Sequence, residues 1–171
     1  MNRRYGRSFY IDLTACLKSA MPDFSLTLDV MAGFPGETDA QFQNTLDLLE
    51  QVRPLRCHVF PYSRRDGTRA ADFEDLPIET TRKRVQTLMA LSGRIGREIR
   101  MTYVGKTVPV LVEEAKQKSG LLAGSTPQYL KVCFQGKREW VGEIVFVELL
   151  TVQGELLLGK AVGHGLDLSV H

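Results

Sequence analysis

Leu26-Thr27-Leu28-Asp29-Val30-Met31-Ala32-Gly33-Phe34-Pro35-Gly36-Glu37-Thr38 decides how this chain is built. Its first half alternates, with Leu26, Leu28 and Val30 on one side and Thr27, Asp29 and Met31 on the other, as a strand does when its two faces meet different surroundings. The glycine-bearing turn that follows ends on Thr38, which with Gln41 makes a capping box; Phe42, Leu46, Leu49 and Val52 then recur on one helical face. A second apolar run from Arg56 to Tyr62 completes a βαβ unit, for which parallel strands and a right-handed crossover are expected. Upstream, Phe9, Leu13, Cys16, Leu17 and Ala20 give residues 8–20 one apolar helical face, closed at Met21-Pro22-Asp23. Two parallel strands leave both sheet edges open, so this segment reads as the end of a larger barrel or sheet.

Downstream, Ile78, Val85, Leu88, Met89, Leu91, Ile95 and Ile99 fall in one sector of a helix, and Arg82, Lys83, Arg94, Arg97 and Arg100 in the opposite one. Beyond Gly105 the character changes. Thr107–Glu113, Tyr129–Phe134, Gly142–Leu150 and Glu155–Val162 read as short strands between Gly-, Ser-, Pro- or Lys-containing turns, which predicts a small antiparallel barrel. Gly163 to Asp167 reads as tail.

The composition is that of a folded protein: 171 residues, 43% hydrophobic and 25% charged, with a net charge of +2. No run of 18 apolar residues is available to span a bilayer, and Met1-Asn2-Arg3-Arg4-Tyr5-Gly6-Arg7 opens no secretory signal, so a cytoplasmic protein is expected. The near-neutral total hides a segment: residues 77–101 carry six basic and two acidic side chains, against nine and eleven before them and seven and seven after. Three cysteines, Cys16, Cys57 and Cys133, fit neither a disulfide framework nor a metal-ligand spacing.

Several residues are candidates for chemistry. The 33–38 turn lies where a helix dipole and free N–H groups favour an anionic ligand, although a tight βα turn needs glycine for its own dihedrals. Asp29 on a strand face needs a partner if buried. Cys57 and His58 are adjacent on a strand and point to opposite faces, which argues against a shared site. No Ser-His-Asp set is legible. The basic helix is either a solvated face or a phosphate-binding one; beside a barrel carrying Tyr129, Lys131, Lys137, Arg138 and Trp140 it suggests nucleic acid, with cations on phosphates and rings on bases.

These residues resemble the C-terminal half of the radical S-adenosylmethionine methylthiotransferases that modify tRNA bases. Met1-Asn2-Arg3-Arg4-Tyr5, Asp29 to Thr38, His58-Val59-Phe60-Pro61-Tyr62-Ser63 and Gly67-Thr68 look like that family's successive motifs, in order, and Gly105-Lys106-Thr107 through Leu111-Val112-Glu113-Glu114 resembles the opening of its TRAM domain. Thr126-Pro127-Gln128-Tyr129-Leu130-Lys131-Val132 looks most like the branch acting on threonylcarbamoyladenosine beside the anticodon.

The resemblance implies an α/β plus all-β chain. Residues 1–76 would be the C-terminal part of a TIM-like radical S-adenosylmethionine barrel, 77–104 a linking basic helix, 105–165 a TRAM RNA-binding barrel of OB-like form, and 166–171 a tail. It implies partial binding of S-adenosylmethionine by Gly33, Phe34, Pro35, Gly36 and Glu37 on its amino-acid and ribose side, with Val59 and Phe60 beside the adenine. Arg82, Lys83, Arg94, Arg97, Arg100, Tyr129 and Lys131 would contact the tRNA anticodon stem-loop. The family's [4Fe-4S] clusters are held by clustered cysteines, including CxxxCxxC; none occurs here, so no metal ligand and no catalytic residue is carried over and the chain is expected to be inactive alone. A separate N-terminal half would then be a partner. A non-catalytic RNA-binding module and a non-functional truncation are the alternatives.

Overall fold

β1 (Thr27–Ala32) and β2 (Arg56–Pro61) lie parallel and in register, Asp29 opposite His58 and Met31 opposite Phe60. The computed structural model describes residues 4–116 and 120–164, which divide into one unit ending at Gly96 and another starting at Arg97. In the first unit α2 (Asp39–Val52) joins the two strands, as the capping box requires: the Thr38 side chain accepts from Gln41 N–H at 3.2 Å and the Gln41 side chain from Thr38 N–H at 2.9 Å. Ala32, Leu49, Val52, Leu55, Leu88 and Ile95 are its buried apolar residues. The helix end is held from outside. Lys18 Nζ donates to the Val52 carbonyl at 2.7 Å, a cation on the last carbonyls of a helix. Burial, with the nearby Arg53 charge, lowers the Lys18 pKa.

α1 (Arg7–Ala20) forms where the periodicity places a helix, but the face it marks as apolar is turned to solvent. Phe9 is 56% exposed and Leu13 42%, and Cys16 is exposed; the buried residue is Thr14, whose hydroxyl donates to the Ile11 carbonyl at 2.8 Å. Spacing tells which residues share a face, not what covers it. α3 (Ile78–Met101) departs in a similar way: Leu88 and Ile95 are buried, whereas Ile78 and Met89 stand exposed and Arg84 is buried in their stead. Of the expected C-terminal part of a TIM-like barrel, the described residues show two parallel strands, β1 and β2, with helices.

The second unit is a closed five-stranded barrel. β3 (Thr107–Ala115), β4 (Leu121–Ser125), β5 (Lys131–Gln135), β6 (Ile144–Gln153) and β7 (Leu156–His164) close in the order β3-β4-β5-β7-β6. Alternation along β3 buries Val108, Val110 and Val112, which join Leu122, Val132, Phe134, Val145, Val147, Leu149 and Leu157 in the interior. Register shifts at Val112/Glu114, Phe146/Val147 and Leu149/Thr151 supply the local bending that closure needs. Two expectations are corrected. The barrel is not wholly antiparallel, because β5 and β7 pair in parallel; and Gly163 and His164 extend β7 rather than starting a tail. The 166–171 tail lies outside the described residues. β4 was not foreseen as a separate strand; its Gly124 sits against the Leu111 carbonyl, where a Cβ would not fit. No helix among the described residues is long and apolar enough to cross a membrane.

Candidate cofactor cleft and nucleic-acid face

The 33–38 turn is held by its own charges. Gly33 and Gly36 have φ of 75° and 78°, the left-handed region where a side chain is costly. Gly33 N–H donates to Glu37 Oε2 at 3.2 Å, and Glu37 N–H to the Phe34 carbonyl at 2.9 Å. Arg84, reaching in from α3, donates through Nη1 to Glu37 Oε2 at 2.6 Å and to the Glu37 carbonyl at 2.9 Å, and through Nη2 to Asp39 Oδ1 at 2.7 Å. Burial opposes the Arg84 charge, yet its hydrogen bonds to Asp39 and Glu37 and their charges raise the pKa above the ordinary value. The guanidinium also lies 5.1 Å from the Phe42 ring centroid. Thr81 packs so closely that a Cβ on Gly33 would come within 2.5 Å of its Oγ1. The turn therefore carries an internal anion, Glu37, on the N–H of Gly33, and is not the open anion cradle its glycines suggest.

Beside it opens a cleft of about 930 Å³ lined by Met31, Phe34, Phe60, Tyr62, Phe73 and the 63–70 loop. Of the residues assigned to a cofactor, Phe34 and Phe60 line this cleft. Gly33, Pro35, Gly36 and Glu37 shape the turn without lining it, and Val59, one residue from Phe60, belongs to the other face of β2. Phe34 meets Tyr62 edge-on at 5.4 Å, and the Tyr62 hydroxyl is buried with no hydrogen-bond partner among the described residues. Apolar walls bearing aromatic rings suit a heterocycle. Met31, Tyr62, Arg65, Thr68, Arg69 and Phe73 were missed, although the aromatic and basic residues of 60–73 were visible in the sequence. Further along the same strand face, exposed Asp29 and His58 sit opposite each other with Thr27 and Arg56 around a depression of about 400 Å³.

The basic residues of α3 do not form one free stripe. Arg82 is exposed and pairs with Glu79 at 2.8 Å, Arg94 pairs with Glu50, and Lys83 and Arg97 are exposed. Arg100 is only 7% exposed, which corrects its placement on a solvent-facing stripe.

On the barrel two of the sequence-predicted residues, Tyr129 and Lys131, border one groove; Lys137, Arg138 and Trp140 are not among the residues that line it. Tyr129 is 79% exposed with φ of 62°, presented by a turn in which the hydroxyl of buried Thr126 accepts from the N–H groups of Gln128 and Leu130, both at 3.2 Å. Leu111 and Ile144, 47% and 55% exposed, line a groove of about 280 Å³ with Tyr129, Pro109 and Pro127. At its edge Lys131 Nζ donates to Glu113 Oε2 at 2.9 Å and to Ser125 Oγ at 2.8 Å, and Ser125 donates to Glu113 Oε1 at 2.7 Å. The hydrogen bonds from Ser125 and Lys131 lower the Glu113 pKa.

The cysteines do not converge. Cys16 is exposed on α1 and Cys133 buried in the barrel; Cys57 is half-buried on β2, its N–H donating to Ser92 Oγ at 2.9 Å. Burial pushes the Cys57 thiol up, with a side-chain hydrogen bond to Ser92, distinct from the backbone one, opposing. Among the described residues no three His, Cys, Asp or Glu side chains are placed to hold a metal ion, so these residues do not fit an iron–sulfur cluster.

A closed five-stranded barrel puts this unit in the class of small β-barrel domains, and residues 101–162 match the family model of the TRAM domain. Over nearly its whole length the chain is similar to proteins named tRNA-2-methylthio-N(6)-dimethylallyladenosine synthase: 42% identical over 164 residues to that of Acetivibrio thermocellus, and 40% over 171 and 170 residues to those of Bacillus pumilus and Bacillus subtilis. These alignments cover 95%, 99% and 98% of the chain but only 34%, 34% and 33% of the relatives. The chain thus spans about a third of their length.

Proposed function

We propose that this chain is the C-terminal portion of a tRNA methylthiotransferase, and that the base it serves is dimethylallyladenosine. The observation that carries the reading is the extent of the similarity: 40% identity to the Bacillus pumilus synthase runs through 99% of the chain, so it takes in the cleft and α3 as well as the barrel. The relatives' name favours the dimethylallyl branch over the threonylcarbamoyl branch to which residues 126–132 pointed. In this reading Phe34 and Phe60 hold the adenine of S-adenosylmethionine, and Arg84, through Glu37, fixes the turn beside it. S-adenosylmethionine, when bound, supplies the radical and the methyl group. The iron–sulfur ligands belong to the part of the enzyme outside this chain. On the barrel, Tyr129 offers a ring to an unpaired base and Lys131 a charge to phosphate once Glu113 releases it.

The test is a chimera. The matching third of the Bacillus subtilis synthase is replaced by residues 1–171, and tRNA nucleosides are measured by mass spectrometry in cells lacking their own enzyme. Appearance of 2-methylthio-dimethylallyladenosine is expected. Modification of threonylcarbamoyladenosine instead moves the chain to the other branch, and an intact, soluble chimera that modifies neither base overturns the reading. A second reading, an RNA-binding module without catalysis, is favoured by the confinement of the TRAM match to 101–162. It predicts an inactive chimera that still binds tRNA.

A further inference from the structure

The loop that follows β2 is built around one arginine and displays two others. Arg64 is spent inside it: Nη1 donates to the Ala71 carbonyl at 2.8 Å, Nη2 to the Phe73 carbonyl at 3.1 Å, and the same group pairs with Asp75 at 3.1 Å. Thr68 tightens the bend by donating its hydroxyl to the Arg65 carbonyl at 2.8 Å, and Ala71 N–H donates to the Thr68 carbonyl at 2.9 Å. Arg65 and Arg69 line the aromatic cleft, yet among the described residues neither guanidinium has an anion or carbonyl as partner. Asp66 and Asp72 lie in the same loop, but no carboxylate is among the lining residues. A hydrogen-bonded loop thus holds two unpaired cations at the edge of a cleft whose most exposed ring, Phe73, is 55% accessible.

We propose that this rim clamps single-stranded RNA, with Arg65 and Arg69 on backbone phosphates and Phe73 stacking on the base between them. Cations on phosphates beside a ring for stacking are the chemistry by which an unpaired nucleotide is held, and arginine forms two parallel bonds to such an oxyanion. The proposal rests on the reading of the chain as part of a tRNA-modifying enzyme and adds a second RNA contact, separate from Tyr129 and Lys131.

The experiment measures binding of a synthetic anticodon stem-loop RNA to the 171-residue chain as a function of salt. Each phosphate contact on a single strand contributes about 0.7 to the slope of log K against log salt, so Arg65→Gln with Arg69→Gln should flatten it by about 1.4. Arg65→Lys with Arg69→Lys should restore most of that slope, and Tyr129→Ala should weaken binding with the slope unchanged. An unaltered slope in the double glutamine variant overturns the clamp while leaving the enzyme reading intact. Absence of RNA binding by the unsubstituted chain overturns both. Equilibrium dialysis with S-adenosylmethionine forms the second arm: loss of its binding together with an unaltered slope assigns the two arginines to the cofactor carboxylate and removes the clamp.

Discussion

The two units solve the problem of the strand edge in opposite ways. In the barrel each strand has a neighbour on both sides, so the backbone ladder closes on itself around an apolar interior. In the first unit, among the described residues, β1 and β2 have only each other, and the site beside them is held by a buried cation gripping two carboxylates. One unit is fixed by packing; the other keeps its turn in place by electrostatics. Such a site is sensitive to single charges in a way that a closed apolar barrel is not.

The largest expected effect lies in the barrel. Phe134, 1% exposed, should cost about 3–5 kcal/mol on substitution by alanine. Trp140, the one tryptophan in the sequence, reports that loss through its fluorescence during denaturant unfolding. Arg84→Met tests the other side of the contrast. It leaves Glu37, 14% exposed, without its cation, and a loss of about 3 kcal/mol is expected in the first unit alone. Hydrogen exchange at Ala32 and Gly33 should accelerate while the Trp140 transition stays where it was. A shift of both transitions would show that the distinction between the units is false.

Gly33→Ala should come next. The left-handed conformation alone costs about 1–2 kcal/mol, and contact with Thr81 adds to it. Combining it with Thr81→Ala should recover only the contact part, which a double-mutant cycle measures. The smallest effect is expected at the barrel surface. Because the Glu113 pKa is lowered in the folded chain, its contribution is present above the ordinary glutamate range and is lost as pH falls through the lowered value. Glu113→Gln should change stability by about 0.5 kcal/mol or less while freeing Lys131, which NMR of the lysine side chain detects.

What was legible in the sequence was local. The capping box at Thr38, the alternation of β1 and the strands on either side of β4 follow from spacing that the neighbouring residues alone determine. The parallel β5–β7 pair was not, because it depends on closure between segments more than twenty residues apart. β4 reads poorly as Leu-Leu-Ala-Gly-Ser, since the close approach of the Leu111 carbonyl demands a glycine that lowers strand propensity. The Arg84 latch had a signal that went unused: Arg84, Leu88, Leu91 and Ile95 stand at i, i+4, i+7 and i+11, so a charge lay on the apolar face and required a buried partner. The cleft was half visible, through Phe34 and Phe60. Its remaining wall comes from a loop whose folding around Arg64 no periodicity records.

Tyr129 carries a lesson for anyone engineering this barrel. A left-handed backbone suits glycine or asparagine far better than an aromatic residue, and the ring it displays contributes little to the interior. A screen rewarding heat resistance alone would therefore replace it early, with a gain of about 1 kcal/mol and a ringless groove. Thermal selection on this protein needs a simultaneous demand for the RNA binding proposed above, or it will erase the most exposed ring of the groove.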